Sequence, residues 1–141
     1  MVDSTTRYSL DAEAFLDPLA GTERLLIIQD LDGVCMGLVR DPLTRRMERR
    51  YIEAARRLDG GFYVLTNGEH IGRRGVNRIV EQAMDAAHHA GEQGLYLPGL
   101  AAGGVQLQDR HGAVTHPGVS DAELAFLQAV PAKAERFLID L

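Results

Sequence analysis

Two aspartates separated by one residue, Asp30 and Asp32, follow an apolar run, Leu25-Leu26-Ile27-Ile28, after Gln29, and stand directly before Gly33. Carboxylates so placed can divide a substitution at phosphorus between them. One attacks and becomes an aspartyl-phosphate; the other protonates the leaving oxygen and later activates water. An anionic nucleophile repels a phosphate dianion, so this chemistry calls for a divalent cation, and Mg²⁺ takes oxygen ligands of this kind. A second polar cluster, Thr66-Asn67-Gly68, follows another apolar run, Phe62-Tyr63-Val64-Leu65. It could hold the transferring phosphoryl group through a hydroxyl and backbone N–H donors. Each cluster taken alone also reads as an ordinary polar turn, DLDG with a capping role. What joins them is the framework between.

That framework is strand, helix, strand. Four aliphatic residues in succession at 25–28 are too few for a helix and suit a strand covered on both faces of a parallel sheet. Met47, Tyr51, Ala54, Ala55 and Leu58 repeat at helical spacing, and Gly60-Gly61 supplies a stop. The run 62–65 is then a second strand, parallel to the first through a right-handed crossover, which brings Thr66 to the same carboxyl edge as Asp30. Between them, 33–42 is too apolar for a solvated loop and too interrupted for a helix, and reads as a compact turn or flap.

Elsewhere the pattern predicts a lead-in helix from Leu10 to Leu19 capped by Ser9, and a helix from Val76 to Ala87 ended by Gly91. It predicts a third strand at Leu95-Tyr96-Leu97 and a hairpin pairing 105–108 with 113–115 across a four-residue turn. Ser120 and Glu123 form a capping box opening a helix through about Val130, and Pro131 can begin another. The terminal Phe137-Leu138-Ile139-Asp140-Leu141 is apolar where chain ends usually fray.

The chain has 141 residues, one domain's worth, with an ordinary apolar fraction of 45%. A net charge of −5 argues against a nucleic-acid or anionic-membrane partner, since phosphate backbones are held by excess Lys and Arg. Cys35 is the only cysteine, so neither an intrachain disulfide nor a cysteine-based zinc site is available, and a reducing cytoplasm is the expected compartment. No export signal or membrane-spanning run is apparent.

Asp30-Leu31-Asp32-Gly33-Val34 resembles the first motif of the haloacid dehalogenase superfamily, and Val64-Leu65-Thr66-Asn67-Gly68 resembles its second. Within that superfamily, DLDGVCMGLVRDPLTRRM, VLTNGEHIGRRGVNRIVEQA, YLPGLAAGGVQLQD and HPGVSDAEL are similar to the glucosylglycerol-phosphate phosphatases, from about Arg24 onward. The resemblance implies an α/β, Rossmann-like core with a parallel sheet flanked by helices, incomplete here, plus a β-hairpin segment. It implies Asp30 as nucleophile, Asp32 as general acid/base, and Thr66 with Asn67 as phosphate ligands. Mg²⁺ would be held by the Asp30 carboxylate and the Asp32 main-chain carbonyl. The implied reaction is hydrolysis of glucosylglycerol 3-phosphate to the compatible solute glucosylglycerol, a response to salt. Glu69, His70, Arg73 and Arg74, just beyond the second motif, are candidate contacts to the sugar phosphate, with a solvated helix N-terminus as the plain alternative.

The superfamily's third motif supplies a Lys or Arg to the phosphate and its fourth supplies acidic residues to the metal; neither is visible. Lys133 is the sole lysine beside fourteen arginines, and no acidic motif follows it. The expectation is therefore a single domain over 1–141, with 1–23 as a lead-in, truncated at its C-terminus and partnered by the missing part of the same phosphatase.

Plainer readings apply to other residues. His88 and His89 are adjacent, and His111 and His116 sit in turns, so none forms the i, i+4 pair of a helical metal site. Arg45, Arg46, Arg49 and Arg50 read as a solvated helix face, with contact to an anionic partner or to a missing portion of the same protein as the alternative. Two rival functions remain. A receiver-like phosphoacceptor needs an aspartate after the third strand, where Pro98-Gly99 stands instead. A non-catalytic sugar-phosphate-binding or interaction fragment is favoured by the absent later motifs.

Overall fold

The computed structural model describes residues 12–87 and 89–139. Helix α1 (Ala12–Ala20) precedes strand β1 (Ile27–Gln29); α2 (Arg49–Arg57), β2 (Phe62–Leu65) and α3 (Val76–Met84) follow. Then come β3 (Gly99–Ala101), β4 (Gln106–Gln108), β5 (Val114–Thr115) and the long helix α4 (Asp121–Ile139). The lead-in helix is present as α1, although its expected cap Ser9 and Leu10 lie outside the described residues, as does His88.

The five strands form one mixed sheet in chain order. β1 pairs with β2, and β2 with β3, in parallel; β3–β4 and β4–β5 are antiparallel. The architecture is α/β, with the hairpin where the alternating pattern predicts it. Along β2, Phe62 and Val64 point one way into the core while Tyr63 and Leu65 point the other way and are exposed. On the buried face, Ile52 and Ala55 of α2 and Val76, Ile79 and Val80 of α3 pack with Phe62 and Val64. The i, i+3, i+4 spacing of these helical residues is what lets one stripe of each helix meet the sheet.

The expectation that β1 is covered on both faces is corrected: Ile28 is 62% exposed. The register sets Ile28 beside Tyr63, Leu65 beside Leu100, and Leu100 beside Leu107, so these residues share one face. No partner covers that face among the described residues, which is why an all-apolar run contains strongly exposed members.

The third strand is also displaced. Leu95 and Leu97 are buried core anchors, while the ladder begins at Gly99. A Cβ there would overlap the Val64 backbone, so close pairing with β2 at that position requires glycine, and its φ of +145° suits only glycine. α3 stops well short of Gly91, because Asp85 adopts the left-handed conformation, with φ 55°, and caps the helix. α4 starts with the expected reciprocal cap: Ser120 N–H donates to Glu123 Oε2 at 2.9 Å and Glu123 N–H to Ser120 Oγ at 3.3 Å. It then runs through Pro131 as a single helix, since the proline removes just one backbone donor from it. No described helix is long and apolar enough to cross a membrane.

Candidate active site

The pairing of Ile27 with Phe62 and Gln29 with Val64 aligns the carboxyl ends of β1 and β2. Asp30 is the first residue beyond β1 and Thr66 the first beyond β2, so parallel pairing delivers both motifs to one edge of the sheet. Leu31, between the two aspartates, is fully buried and anchors the turn. Its carbonyl accepts the N–H groups of Val34, Cys35 and Met36 at 3.1 to 3.3 Å, and Gly33, with φ 81°, closes the loop by donating to the Met36 carbonyl at 2.8 Å. Residues 31–36 form a compact turn, which is only the first part of the 33–42 stretch expected to be one; Gly37, Leu38, Val39 and Arg40 are exposed, so the remainder is a solvated loop in spite of its apolar residues. Asp30 is exposed, with Oδ1 accepting the Leu31 N–H at 2.8 Å.

Thr66 is buried, and its Oγ1 accepts the Gly68 N–H at 3.2 Å, which curls the second motif into a small loop. Ala102 N–H donates to the Gly68 carbonyl at 2.6 Å and Thr66 N–H to the Leu100 carbonyl at 3.0 Å, fixing that loop to β3. A cavity of about 380 Å³ opens beside it, lined by Pro42, Arg45, Asn67, Gly68, Glu69, Arg74 and Ala102. That volume is within the range that takes small ligands. A larger cavity of about 580 Å³, beside α3, contains none of the candidate residues.

Of the four residues named as sugar-phosphate contacts, Glu69 and Arg74 line the smaller cavity. Arg73 is exposed and does not line it. His70 is wholly buried, with Nε2 2.9 Å from the Gly99 carbonyl, so its ring serves the β2–β3 junction and is not presented to the cavity. Burial holds its imidazole below the ordinary histidine range, with the Gly99 bond pulling weakly the other way. The neutral ring therefore donates from Nε2. Cys35 is no competing nucleophile: burial pushes its thiol up despite the opposing hydrogen bonds, and the nearby charges of Asp30 and Asp32 push further.

Arg45 is the residue that sequence reasoning missed. It lies outside α2, at the end of a 3-10 turn over Pro42–Thr44, not on a solvated helix face. Asp41 shapes that turn by accepting the Leu43 N–H at 2.9 Å on Oδ1, and Pro42 supplies a preset φ. Arg78 of α3 donates to the Pro42 carbonyl at 3.4 Å, and Arg46 to Gln82 at 3.5 Å, so the turn is tied to α3. Arg45 Nε consequently sits 2.9 Å from Asp32 Oδ1, with only 18% of its side chain exposed. The Asp-Pro pair ahead of it was the one legible signal, a turn that takes Arg45 off the helix.

A family model described as glucosylglycerol-phosphate phosphatase matches residues 24–141. The chain belongs to the glucosylglycerol-phosphate phosphatase family. A glucosylglycerol-phosphate phosphatase of Synechocystis sp. is 61% identical over 133 residues, which are 94% of this chain and 32% of that protein. The chain thus spans about a third of the length of this curated family member. Both aspartates, the Thr66 loop and Arg45 fall inside the stretch that the family model covers.

Proposed function

We propose that this chain carries the nucleophile and phosphate loop of a Mg²⁺-dependent phosphatase acting on a sugar phosphate, foremost glucosylglycerol 3-phosphate. The products would be glucosylglycerol and phosphate, in the synthesis of a compatible solute under salt stress. The supporting observation is the parallel β1–β2 register, with Asp30-Leu31-Asp32 and Thr66-Asn67-Gly68 at one sheet edge and a cavity there lined by Asn67, Gly68, Arg45, Glu69 and Arg74. In this reading Asp30 attacks phosphorus while Asp32 protonates the departing glycerol oxygen as the P–O bond breaks. Asp32 then takes a proton from the water that attacks the aspartyl-phosphate, which frees Asp30 and releases inorganic phosphate. Thr66 and Asn67 hold the phosphoryl oxygens, and Glu69 and Arg74 face the rest of the substrate.

The donors available suit Mg²⁺ in kind, being carboxylate and carbonyl oxygens of Asp30 and Asp32. The described residues gather no cluster of three His, Cys, Asp or Glu side chains, so substrate and water oxygens would complete the shell, as Mg²⁺ commonly requires. Bound there, the ion would offset the repulsion between the phosphate dianion and Asp30. We read residues 1–141 as one domain of a Rossmann-like haloacid dehalogenase core, incomplete without acidic and basic groups from elsewhere in the longer phosphatase. The lone cysteine suits a reducing compartment, and we assign the activity to the cytoplasm.

The test is release of inorganic phosphate from glucosylglycerol 3-phosphate with Mg²⁺, comparing the native chain with Asp30→Asn. Release abolished by that substitution supports the reading; release that survives it removes Asp30 as nucleophile. Ligand binding by calorimetry without release would instead favour a non-catalytic sugar-phosphate-binding fragment.

A further inference from the structure

Arg45 stands off α2, at the end of the Pro42–Thr44 turn. Its Nε pairs with Asp32 Oδ1 at 2.9 Å, and its far end reaches the phosphate loop. A Cβ built on Gly68 would be 3.8 Å from Arg45 Nη1 and 3.5 Å from Thr66 Oγ1. The guanidinium therefore lies between the Asp32 carboxylate and the Gly68 end of the loop, and it lines the same cavity as Asn67 and Arg74. Asp32 is its one ion-pair partner among the described residues.

We propose that Arg45 is a phosphate-binding residue of this site, with the phosphate group of a phosphomonoester or inorganic phosphate as its ligand. The proposal rests on the functional reading above. Three physical points carry it. A guanidinium is always charged and offers five donors in a planar fork; Nε lies 2.9 Å from Asp32 Oδ1 as an ion pair but donates no hydrogen bond, so the fork is not committed to that carboxylate. Nη1 lies on the Gly68 side, and a guanidinium edge can meet two phosphate oxygens in a bidentate contact. Finally, the partly enclosed position removes water that would weaken a surface pair, so the contact is stronger than that of an exposed arginine such as Arg73. Arg45 would thereby add a positive charge to the phosphate site, and its contact to Asp32 sets the acid/base carboxylate against the leaving oxygen.

The probe is inorganic phosphate with Mg²⁺, titrated calorimetrically into the full 141-residue chain. Arg45→Met should raise Kd on the order of tenfold or more, and Arg45→Lys should recover part of the loss, because charge returns without the fork. Circular dichroism and a thermal melt verify that each variant folds. The same pair of substitutions in an Asp32→Asn background separates direct from indirect action. A loss on Arg45→Met that persists there supports contact with phosphate. A loss that disappears there means Arg45 acts only through Asp32, and the proposal falls. Equal affinity of native and Arg45→Met chains, or no phosphate binding by the native chain, also overturns it. Arg45-dependent binding with no Asp30-dependent phosphate release would sink the catalytic reading alone. Asp30-dependent release with an unchanged KM in Arg45→Met would sink this inference alone.

Discussion

Replacing Gly99 by alanine should unfasten the sheet next to the candidate site. The added Cβ would overlap the Val64 carbonyl oxygen and lie 2.8 Å from the carbonyl carbon, whereas carbon atoms rest about 3.5 Å or more apart. Both atoms belong to backbone, so no side chain can swing away, and β3 must move off β2. Two ladder bonds flank the clash, Val64 N–H to the Pro98 carbonyl at 2.8 Å and Thr66 N–H to the Leu100 carbonyl at 3.0 Å. Each is worth about 1 kcal/mol net. Moving the Gly99 carbonyl also leaves His70 Nε2 unsatisfied in the core, at about 1–3 kcal/mol, and a φ of +145° strains alanine by roughly 1–3 kcal/mol. The expected loss is at least about 4 kcal/mol, a large part of the roughly 7–21 kcal/mol that typical per-residue stabilities give a chain of this size. Urea denaturation followed by circular dichroism reads it directly. With a slope near 2 kcal/mol/M, the midpoint should fall by about 2 M. A shift below about 0.5 M would show that β2 and β3 do not approach as closely as the β3 register requires.

His70 has a lowered native pKa through burial, so between about pH 6.5 and that lower value the unfolded chain binds the proton and the native chain does not. Stability should fall as pH drops through this window, by up to about 1.4 kcal/mol per unit, and His70→Gln should remove that component; an unchanged slope in the variant refutes the assignment. Ile52→Ala, in the core, should cost about 2–5 kcal/mol, whereas Ile28→Thr on the uncovered face should cost under about 1 kcal/mol; equal losses in urea titrations would mean that the Ile28 face is covered in solution.

The sequence carried the placement of the chemistry better than the boundaries of the elements. Asp30 and Thr66 were legible because each ends an apolar run, and parallel pairing then leaves little freedom in where those ends fall. The hairpin and the Ser120–Glu123 cap were legible because both are local: turn length fixes one and a three-residue spacing the other. The third strand was not, because the choice between Leu95-Tyr96-Leu97 and Gly99-Leu100-Ala101 is made by the neighbouring strand. Apolar side chains at 95 and 97 signal burial, but the Val64 backbone admits only a residue without Cβ at the start of the ladder.

The same distinction separates Arg45 from His70. Both lie near a motif, and one-dimensional spacing ranked His70 higher, since it follows Thr66-Asn67-Gly68 by two residues. In space the ranking reverses. The backbone beyond Gly68 turns so that the His70 ring fills the core against the Gly99 carbonyl, while the Asp41-Pro42 turn lifts Arg45 off α2 toward Asp32. Proximity in sequence identifies residues that share a loop; which of them faces the cavity depends on which side chain the sheet must bury. Here the buried position beside Gly99 takes the flat, neutral imidazole, and the permanently charged guanidinium, which the core cannot accept unpaired, is left at the carboxylate edge, where an anion would meet it.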